Sequence, residues 1–486
     1  MNDLHNASRN KIEMDLLKYP VVLGTGPSAI ATIYGLLTKC EKVCVIDACI
    51  GPDNHLLDAI SKEPNRRSSP KFRNPENAYV YKSFDYKYQI FSENFNATSS
   101  LAKGGLSNIW GGGFFPYSRE EIKDFSYSWK EVKKVYEEIF RVLKNEEIPS
   151  QLIMSLEADF KSNDRSYYTE PFKTLVATNP SHVLPEPCHL LSCQTGCINC
   201  NRGIFNSGIE LEKLIKLNKV HYIPHTFIDK IERRKDLYEI KCVDTRNDRK
   251  DILLANTIFC CLGVLATSKI VLQMVDPNAT LPLLSTPAGQ FIALEYGKRD
   301  KEVTTSIMSG KTIVLDQGDR AVANLFPLTE NLLAVMIGNT PARLVLDALG
   351  KQAISRLIIG NIYFSSRYSN NVMWLEKDEL HIKGELPDKL IGKFKNSLKE
   401  LNTKLKREGF IKIPFAHKLL QPGQDIHYGG TLPMKDIPST LQCDSKGRLH
   451  GVPNFYISDA SSLAYMHAKP HTFNAMVQSF LIGKGW

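Results

Sequence analysis

The chain has 486 residues, a length that predicts two domains or one large domain with an inserted lobe. Its 61 basic and 52 acidic residues leave a formal charge of +9. The lysines are spread along the chain, which favours a solvated surface over a nucleic-acid face and leaves an anionic substrate open. No run of about eighteen apolar residues is present, so no membrane span is expected. The eleven cysteines, with no secretory signal in the first twenty residues, predict reduced thiols and a cytoplasmic protein.

The first hundred residues predict the start of a parallel sheet. Residues 21–23 predict a buried strand, residues 27–38 a helix and residues 42–48 a second apolar strand, which together form a β-α-β unit. Residues 52–75 are polar and contain proline, and they predict a long loop. The glycine-dense stretch GGLSNIWGGG follows.

The predicted secondary structure of the remaining residues changes from mixed to antiparallel and back to mixed. Residues 118–145 have helical periodicity, and residues 219–262 predict a series of strands that ends on a glycine and leads into a helix. Residues 286–380 contain alternating stretches that predict an antiparallel sheet, and residues 386–408 predict an amphipathic helix. The last seventy residues return to a turn, a strand and a helix.

The turn after the first strand has the spacing of a dinucleotide-binding site. Gly24, Gly26 and Ala29 fit the pattern G-x-G-x-x-G/A between a strand and a helix. Gly26 lets the backbone approach a diphosphate, and the helix N-terminus around Ser28 offers free N–H groups to it. Asp47 ends the next strand, where its carboxylate can accept hydrogen bonds from a ribose diol. The alternative is a turn that merely needs glycine, and the motif does not decide between NAD(P) and FAD.

Three further blocks resemble the glucose–methanol–choline (GMC) oxidoreductases, in particular the shorter bacterial members. The blocks are GGLSNIWGGG, LANTIFCCLGVLATSKIVL and the C-terminal HYGGTLPMKD and CDSKGRLHGVPNFYISDAS. The resemblance implies an α/β fold, with an FAD-binding Rossmann-type domain on a parallel sheet and an inserted α+β substrate lobe on an antiparallel sheet. It assigns residues 1–117, 186–285 and 421–486 to the FAD-binding domain, and residues 118–185 and 286–420 to the substrate-binding lobe.

The same resemblance implies where the cofactor binds. It assigns Gly105, Ser107, Asn108 and Gly112 to the flavin ring, Gly263 to the adenosine half, and Asp459 and Ala460 to the ribityl and diphosphate. Glycine allows close approach of backbone to a flat ligand, and the serine and asparagine can donate to it. A flexible glycine loop is the alternative for the first group, and a plain helix cap is the alternative for Asp459.

Alcohol oxidation removes a proton from oxygen and a hydride from carbon, so the protein must supply a base near its working pH. Histidine meets this need without perturbation. His427, in QDIHYGGTLPM, resembles the active-site histidine of the family and is the predicted base. His471 is the predicted second member of the pair, with Asn474 in reserve. The family's asparagine–proline pair reads Lys469-Pro470 here, which places the alignment of His471 in question.

Four cysteines lie within thirteen residues: Cys188, Cys193, Cys197 and Cys200. Thiolates this close can bind zinc or an iron–sulfur cluster, although the spacing matches neither the two-pair zinc pattern nor the common ferredoxin pattern. Reduced thiols in a packed loop are the alternative.

The sequence thus predicts an FAD-dependent alcohol dehydrogenase or oxidase acting on a sugar or polyol, with an unidentified electron acceptor and no nucleic-acid partner. Two alternatives remain open. One is an NAD(P)- or FAD-dependent reductase or ring-modifying enzyme. The other is a flavin- or metal-binding redox sensor without catalytic activity.

Overall fold

The structure is a computed structural model, and it describes residues 14–51, 78–110, 113–144, 156–157, 175–176, 205–296, 311–315, 320–327, 356–407 and 409–486. Every structural statement below concerns these residues. The helices of ten or more residues within them are α1 (Pro27–Leu36), α2 (Ala78–Tyr88), α3 (Trp129–Lys144), α4 (Ser207–Lys216), α5 (Val264–Val275), α6 (Asp388–Arg407) and α7 (Thr472–Gly485).

The strands of the same residues belong to five sheets. In chain order they are β1 (Val21–Leu23), β2 (Val43–Ile46), β3 (Ile90–Glu93), β4 (Gly113–Phe114), β5 (Leu175–Val176), β6 (Val220–Ile223), β7 (Thr226–Arg234), β8 (Leu237–Asp244), β9 (Lys250–Ala255), β10 (Ile258–Cys260), β11 (Thr280–Ser285), β12 (Ala288–Glu295), β13 (Lys311–Leu315), β14 (Ala321–Pro327), β15 (Leu357–Phe364), β16 (Asn371–Glu376), β17 (Glu379–Lys383), β18 (Phe410–Leu419), β19 (Tyr428–Gly429) and β20 (Phe455–Ile457).

The first sheet is the parallel sheet that the sequence predicted. Its order is β20-β10-β1-β2-β6, and every neighbouring pair is parallel. The three central strands are apolar and buried throughout, as expected when helices cover both faces. Because parallel strands end at the same edge, the segments after β1, β2, β10 and β20 meet there. Strands that lie more than 400 residues apart in sequence therefore share one edge.

A second layer carries the antiparallel architecture predicted for residues 286–380. Strands β13-β14-β15-β12-β18 form an antiparallel sheet, and the amphipathic helix α6 packs on one of its faces. Leu390, Phe394 and Leu401 of α6 lie in one apolar cluster with Phe291 and Ile362 of the sheet. The opposite face of this sheet turns towards the segment that contains His427, since Tyr363 of β15 contacts that histidine. The predicted α/β architecture with an antiparallel lobe is confirmed.

Two segments inside the predicted lobe pack against the larger domain. Helix α3 contributes Tyr136 and Phe140 to the large core that surrounds the parallel sheet. Strand β17 pairs with β3 and β16, and Leu380 and Ile382 lie in the same core. Apolar burial, which sequence position cannot reveal, places these two segments with the parallel sheet. A third antiparallel unit, β7-β8-β9, follows β6. In the part of the chain described, no helix is long and apolar enough to cross a membrane.

Candidate active site

The turn between β1 and α1 contains two glycines with different tasks. Gly24 has a φ of +94°, and a Cβ atom there would lie 2.6 Å from the backbone oxygen of Cys261. Gly26 has an ordinary φ of −69° and precedes the first residue of α1. A Cβ atom on Gly26 would meet nothing within 4 Å. Gly24 is therefore required by the fold, whereas the missing side chain of Gly26 leaves free space beside the helix N-terminus.

Asp47 follows β2 at the edge where the parallel strands end. Its Oδ2 accepts hydrogen bonds from the backbone N–H of Cys49 (2.9 Å) and from Tyr222 Oη (3.4 Å). The residue is only 7% exposed. Burial raises the pKa of Asp47 to about 7, against the lowering effect of its hydrogen bonds. The carboxylate thus lies at the end of β2, where it lines the cleft described below.

The segment around the predicted flavin-binding glycines is tied to the same turn. The backbone N–H of Gly104 donates to Thr25 Oγ1 (2.9 Å), and a Cβ on Gly105 would lie 3.4 Å from the Cα of Gly26. Ser107 Oγ donates to the Gly104 carbonyl (2.6 Å) and accepts from the Ser207 N–H (3.0 Å). The glycine segment is therefore held directly over the N-terminus of α1.

Asp459 joins the ends of β10 and β20. Its Oδ2 accepts from the N–H of Gly263 (2.9 Å) and from Thr267 Oγ1 (2.6 Å), and its Oδ1 accepts from the N–H of Ser461 (2.8 Å). Burial raises the pKa of this carboxyl group. The bond to Ser461 is the helix cap that the sequence offered as an alternative. The bonds to Gly263 and Thr267 add a tie between two strands.

These segments line one continuous cleft of about 1150 Å³, part of which is open to solvent. Ten residues predicted for the site line it: Gly24, Gly26, Ser28, Asp47, Gly105, Ser107, Gly263, Asp459, Ala460 and His471. Ala29 lies beneath the cleft, fully buried in the core between α1 and the sheet.

The cleft has the chemistry that an extended dinucleotide requires. Helices α1, α5 and α7 begin at its wall, after Gly26, Gly263 and His471 respectively. No described side chain caps these three N-termini, and none has an acidic residue in its first turn. Their free N–H groups and positive dipole ends favour an anion, and the space at Gly26 admits one to close contact. The residues present therefore fit the diphosphate and ribose of FAD.

A pair of histidines lies at the end of this cleft. The ring centroids of His427 and His471 are 5.6 Å apart and the rings are nearly perpendicular. His471 is 8% exposed and borders the cleft, and its buried Nδ1 atom has no hydrogen-bond partner. Burial, and to a lesser degree the neighbouring His427, lowers the pKa of His471 to about 3. The second histidine is therefore uncharged at neutral pH.

His427 turns away from the cleft wall towards the antiparallel sheet. Its buried Nδ1 makes no hydrogen bond but lies 3.5 Å from Asp425 Oδ2, and its ring centroid lies 5.3 Å from that of Tyr363. Residues 426 and 428 on either side of it line the cleft. The histidine pair thus lies between the dinucleotide cleft and the antiparallel sheet, where a small molecule could contact both.

Comparison with known proteins by sequence returns nothing: no protein-family model matches the chain, and no curated protein matches it. Among solved structures, the chain is similar to pyridoxine 4-oxidase from Mesorbium loti, with a TM-score of 0.59. The similarity covers 96% of this chain and 99% of the other, at 11% sequence identity. The chain therefore has the same fold as pyridoxine 4-oxidase. The resemblance stated from the sequence is confirmed at the level of the fold.

Asn108 and Asn474, both predicted for the site, do not line the cleft, and their amides bond to other parts of the chain. Asn108 does not line the cleft: its Nδ2 donates to the carbonyls of Lys103 (2.9 Å) and Gly105 (2.8 Å), and its Oδ1 accepts from Asn206 (2.8 Å). Asn474 donates to the Phe115 carbonyl (2.8 Å) and accepts from the Tyr117 N–H (2.9 Å). Both amides hold backbone segments in place, because their polar atoms are already engaged there.

Three acidic or aromatic residues that contact the histidine pair or the loop before His471 carried no recognised signal in the sequence. Asp425 stands two residues before His427 and could have been noticed as a carboxylate beside a candidate base. Tyr363 and Glu121 come from distant segments and had no local signature. Glu121 Oε2 accepts a hydrogen bond from Lys469 Nζ (2.6 Å) inside the protein. The lysine of this ion pair stands two residues before His471, where the resembled asparagine–proline pair reads Lys469-Pro470.

The remaining predictions fall outside what the structure describes. Gly112 and the four cysteines Cys188, Cys193, Cys197 and Cys200 lie beyond the described residues. Among the residues that are described, no group of three or more histidine, cysteine, aspartate or glutamate side chains could hold a metal ion. Nothing in the described residues supports the suggested zinc or iron–sulfur site.

Proposed function

We propose that this chain is an FAD-dependent oxidoreductase that oxidises an alcohol group on a sugar or polyol. One observation carries the proposal: a close pair of histidines, one of them buried and uncharged, ends a cleft that begins at a dinucleotide-type glycine turn. The fold shared with pyridoxine 4-oxidase supports flavin-dependent oxidation. Because pyridoxine is itself an alcohol borne on a ring, ring-borne alcohols form a second class to test.

The cofactor would be held by the cleft residues described above. The N–H groups at the start of α1, beside Gly26, suit the diphosphate, and Asp47 suits the ribose hydroxyls. Gly105, Gly263 and Ala460 line the same cleft without bulky side chains. FAD, when bound, supplies the acceptor for the hydride that leaves the alcohol carbon.

His427 is the proposed base for the alcohol proton. Its Nδ1 faces the carboxylate of Asp425, which favours the tautomer with the proton on Nδ1 and the lone pair on Nε2. Nε2 can then accept the hydroxyl proton, and Asp425 stabilises the resulting imidazolium. His471 remains neutral because it is buried, and it can hydrogen-bond the substrate oxygen without competing for the proton.

The proposal extends to the organisation of the chain. Residues 1–117, 186–285 and 421–486 are proposed to bind FAD, and residues 118–185 and 286–420 to shape the substrate site. Within the second group of residues, α3 and β17 contribute side chains to the larger core. Cytoplasmic location remains a prediction of the sequence.

A spectroscopic experiment tests the function. Purified protein should show the visible absorption of bound flavin, and an alcohol substrate should bleach it anaerobically. His427→Ala should retain the flavin spectrum and slow the bleaching by about 10²- to 10⁴-fold, the usual contribution of a general base. His450→Ala, an exposed histidine of the same region, is the matched control. If His427→Ala bleaches at the wild-type rate, His427 is not the base.

The same spectrum separates the alternatives. Colourless protein that binds NAD(P)H would indicate a reductase, and flavin that no alcohol reduces would indicate a redox sensor. Reoxidation by oxygen or only by an added acceptor then distinguishes an oxidase from a dehydrogenase.

A further inference from the structure

The antiparallel sheet beside the histidine pair has one face that packs against α6 and an opposite face that turns towards His427. Phe291, Ala323 and Ile362 lie on the face that packs against α6. The opposite face carries Tyr363, whose ring contacts His427. Since side chains alternate along a strand, residues two positions from Tyr363 share its face.

A row of polar side chains crosses this second face. Asn324 of β14 pairs with Asn361 of β15, Asn361 pairs with Gln290 of β12, and Gln290 pairs with Lys418 of β18. Directly paired residues on neighbouring strands have adjacent side chains. The three amide side chains and the lysine at the end therefore form one polar row, which we call the amide row after its three amides. It lies two residues, or about 7 Å, along the strands from the row that contains Tyr363.

The amide row is an unusual feature for a packed sheet. The row on one side of it contains Val322, Tyr363 and Ala288, and the row on the other side contains Ile359 and Ile292. Asn324 itself is only 1% exposed. Placing amides among apolar rows costs free energy unless each polar atom finds a partner. Packing of the sheet alone does not require amides at these positions.

One atom of the row lacks a partner. Asn361 Nδ2 donates to Tyr363 Oη (3.3 Å), whereas the buried Oδ1 of the same amide has no hydrogen-bond partner. Asn361 is thus linked through Tyr363 to the surroundings of His427 and has a vacant acceptor of its own. A buried acceptor at such a position suits a hydroxyl group of a ligand.

Resting on the proposed function, we propose that the amide row is a second polar subsite for the alcohol substrate. Asn361 Oδ1 accepts a hydrogen bond from a hydroxyl group remote from the carbon that is oxidised. The amide of Gln290, on the neighbouring strand, contacts the same hydroxyl group. The subsite selects substrates with a second hydroxyl group over mono-alcohols of the same length. A site built around a hydrogen bond discriminates strongly against a ligand that lacks the donor, since the buried group then stays unpaired.

The test uses pairs of primary alcohols and terminal diols of equal length, from butanol and butanediol to hexanol and hexanediol. For each pair the ratio of kcat/KM, diol over mono-alcohol, is measured by flavin reduction in the complete FAD-loaded protein. In the wild type this ratio should exceed one for at least one chain length. Asn361→Leu should lower this ratio about tenfold, the effect of one lost buried hydrogen bond, because only the diol has a second hydroxyl group to lose its partner.

Controls keep the outcome interpretable. Asn370→Leu removes an exposed amide outside the row and should leave every ratio unchanged. Gln290→Leu, on the neighbouring strand, repeats the test if Asn361→Leu does not fold, as judged by flavin content and thermal unfolding. If Asn361→Leu lowers kcat/KM equally for mono-alcohols and diols, the subsite proposal is wrong, because loss of a purely structural amide would affect both substrates alike. If no alcohol reduces the wild-type flavin, the proposed function fails and the subsite fails with it.

Discussion

The contrast between Gly24 and Gly26 gives a prediction that separates folding from cofactor binding. In Gly24→Ala the new methyl group would lie 2.6 Å from the Cys261 oxygen, at a φ of +94°. The positive φ costs about 1–2 kcal/mol, and forcing a methyl group into packed structure costs about 1–3 kcal/mol. We therefore expect Gly24→Ala to destabilise the flavin-free protein by about 2–5 kcal/mol.

Gly26→Ala should behave in the opposite way. Its φ of −69° suits alanine, and the methyl group meets nothing within 4 Å. The lower entropy of the unfolded chain gains about 0.4–1 kcal/mol, which the poorer capping by alanine roughly cancels. The methyl group occupies the space at the start of α1 that the diphosphate needs. Losing even one hydrogen bond to a charged group costs about 1.5–3 kcal/mol, so FAD should bind at least tenfold more weakly.

The assay combines urea unfolding of the flavin-free variants with FAD titration followed by flavin fluorescence. Gly392→Ala places a methyl group in open space on α6, far from the cleft, and should leave FAD affinity unchanged. Wild-type FAD affinity in Gly26→Ala would refute the reasoning, since a dinucleotide would then not cross this turn. Destabilisation equal to that of Gly24→Ala would show that the free space is absent.

Two further predictions concern buried carboxylates. Although burial opposes it, the charges of Lys469 and His467 lower the pKa of Glu121 to about 2. Glu121→Gln should therefore destabilise by about 3 kcal/mol at neutral pH, with the difference from wild type lost as pH falls from the unfolded pKa of 4.5 to 2. Glu120→Gln, at the more exposed neighbouring carboxylate, should lower the free energy of unfolding by less than about 1 kcal/mol. Equal destabilisation by the two substitutions in urea unfolding would contradict a stabilising buried ion pair at Glu121. For Asp47, whose pKa is about 7, FAD should bind about tenfold more tightly one unit above that pKa than one unit below it. Asp47→Asn should abolish this dependence, and a dependence that persists in titrations of the variant would exclude the carboxylate as the ribose partner.

The ion pair of Glu121 with Lys469 also explains how the chain departs from the family pattern near His471. Lys469 Nζ reaches Glu121 Oε2 and the Pro116 carbonyl (3.2 Å), and His467 Nε2 lies 2.8 Å from the Glu121 carbonyl. Together with Asn474, these contacts attach the loop that carries His471 to residues 115–121. Lys469, which departs from the resembled pattern in sequence, thus helps to hold the loop that positions His471.

Local chemistry was sufficient for much of the site. The two glycines of the turn, Asp47 and the apolar strands around them all lie between Val21 and Asp47, so their geometry follows from a single β-α-β unit. The structure shows that Gly24, Gly26 and Asp47 line one cleft, and their contact with a cofactor stays a prediction. His427 could be selected because it stands in a short motif, whereas the motif before His471 is interrupted by Lys469-Pro470.

Tertiary structure alone decided which distant residues meet. Sequence pattern reports the faces of a strand but not the register between strands, and register is what aligns Asn361 with Gln290 and Asn324. Sequence pattern also could not show that the amides of Asn108 and Asn474 hydrogen-bond to other parts of the chain, since a free amide and an engaged one have the same local sequence. The contact of Tyr363 with His427 joins segments 64 residues apart, and only the packing of the antiparallel sheet on the larger domain brings them together.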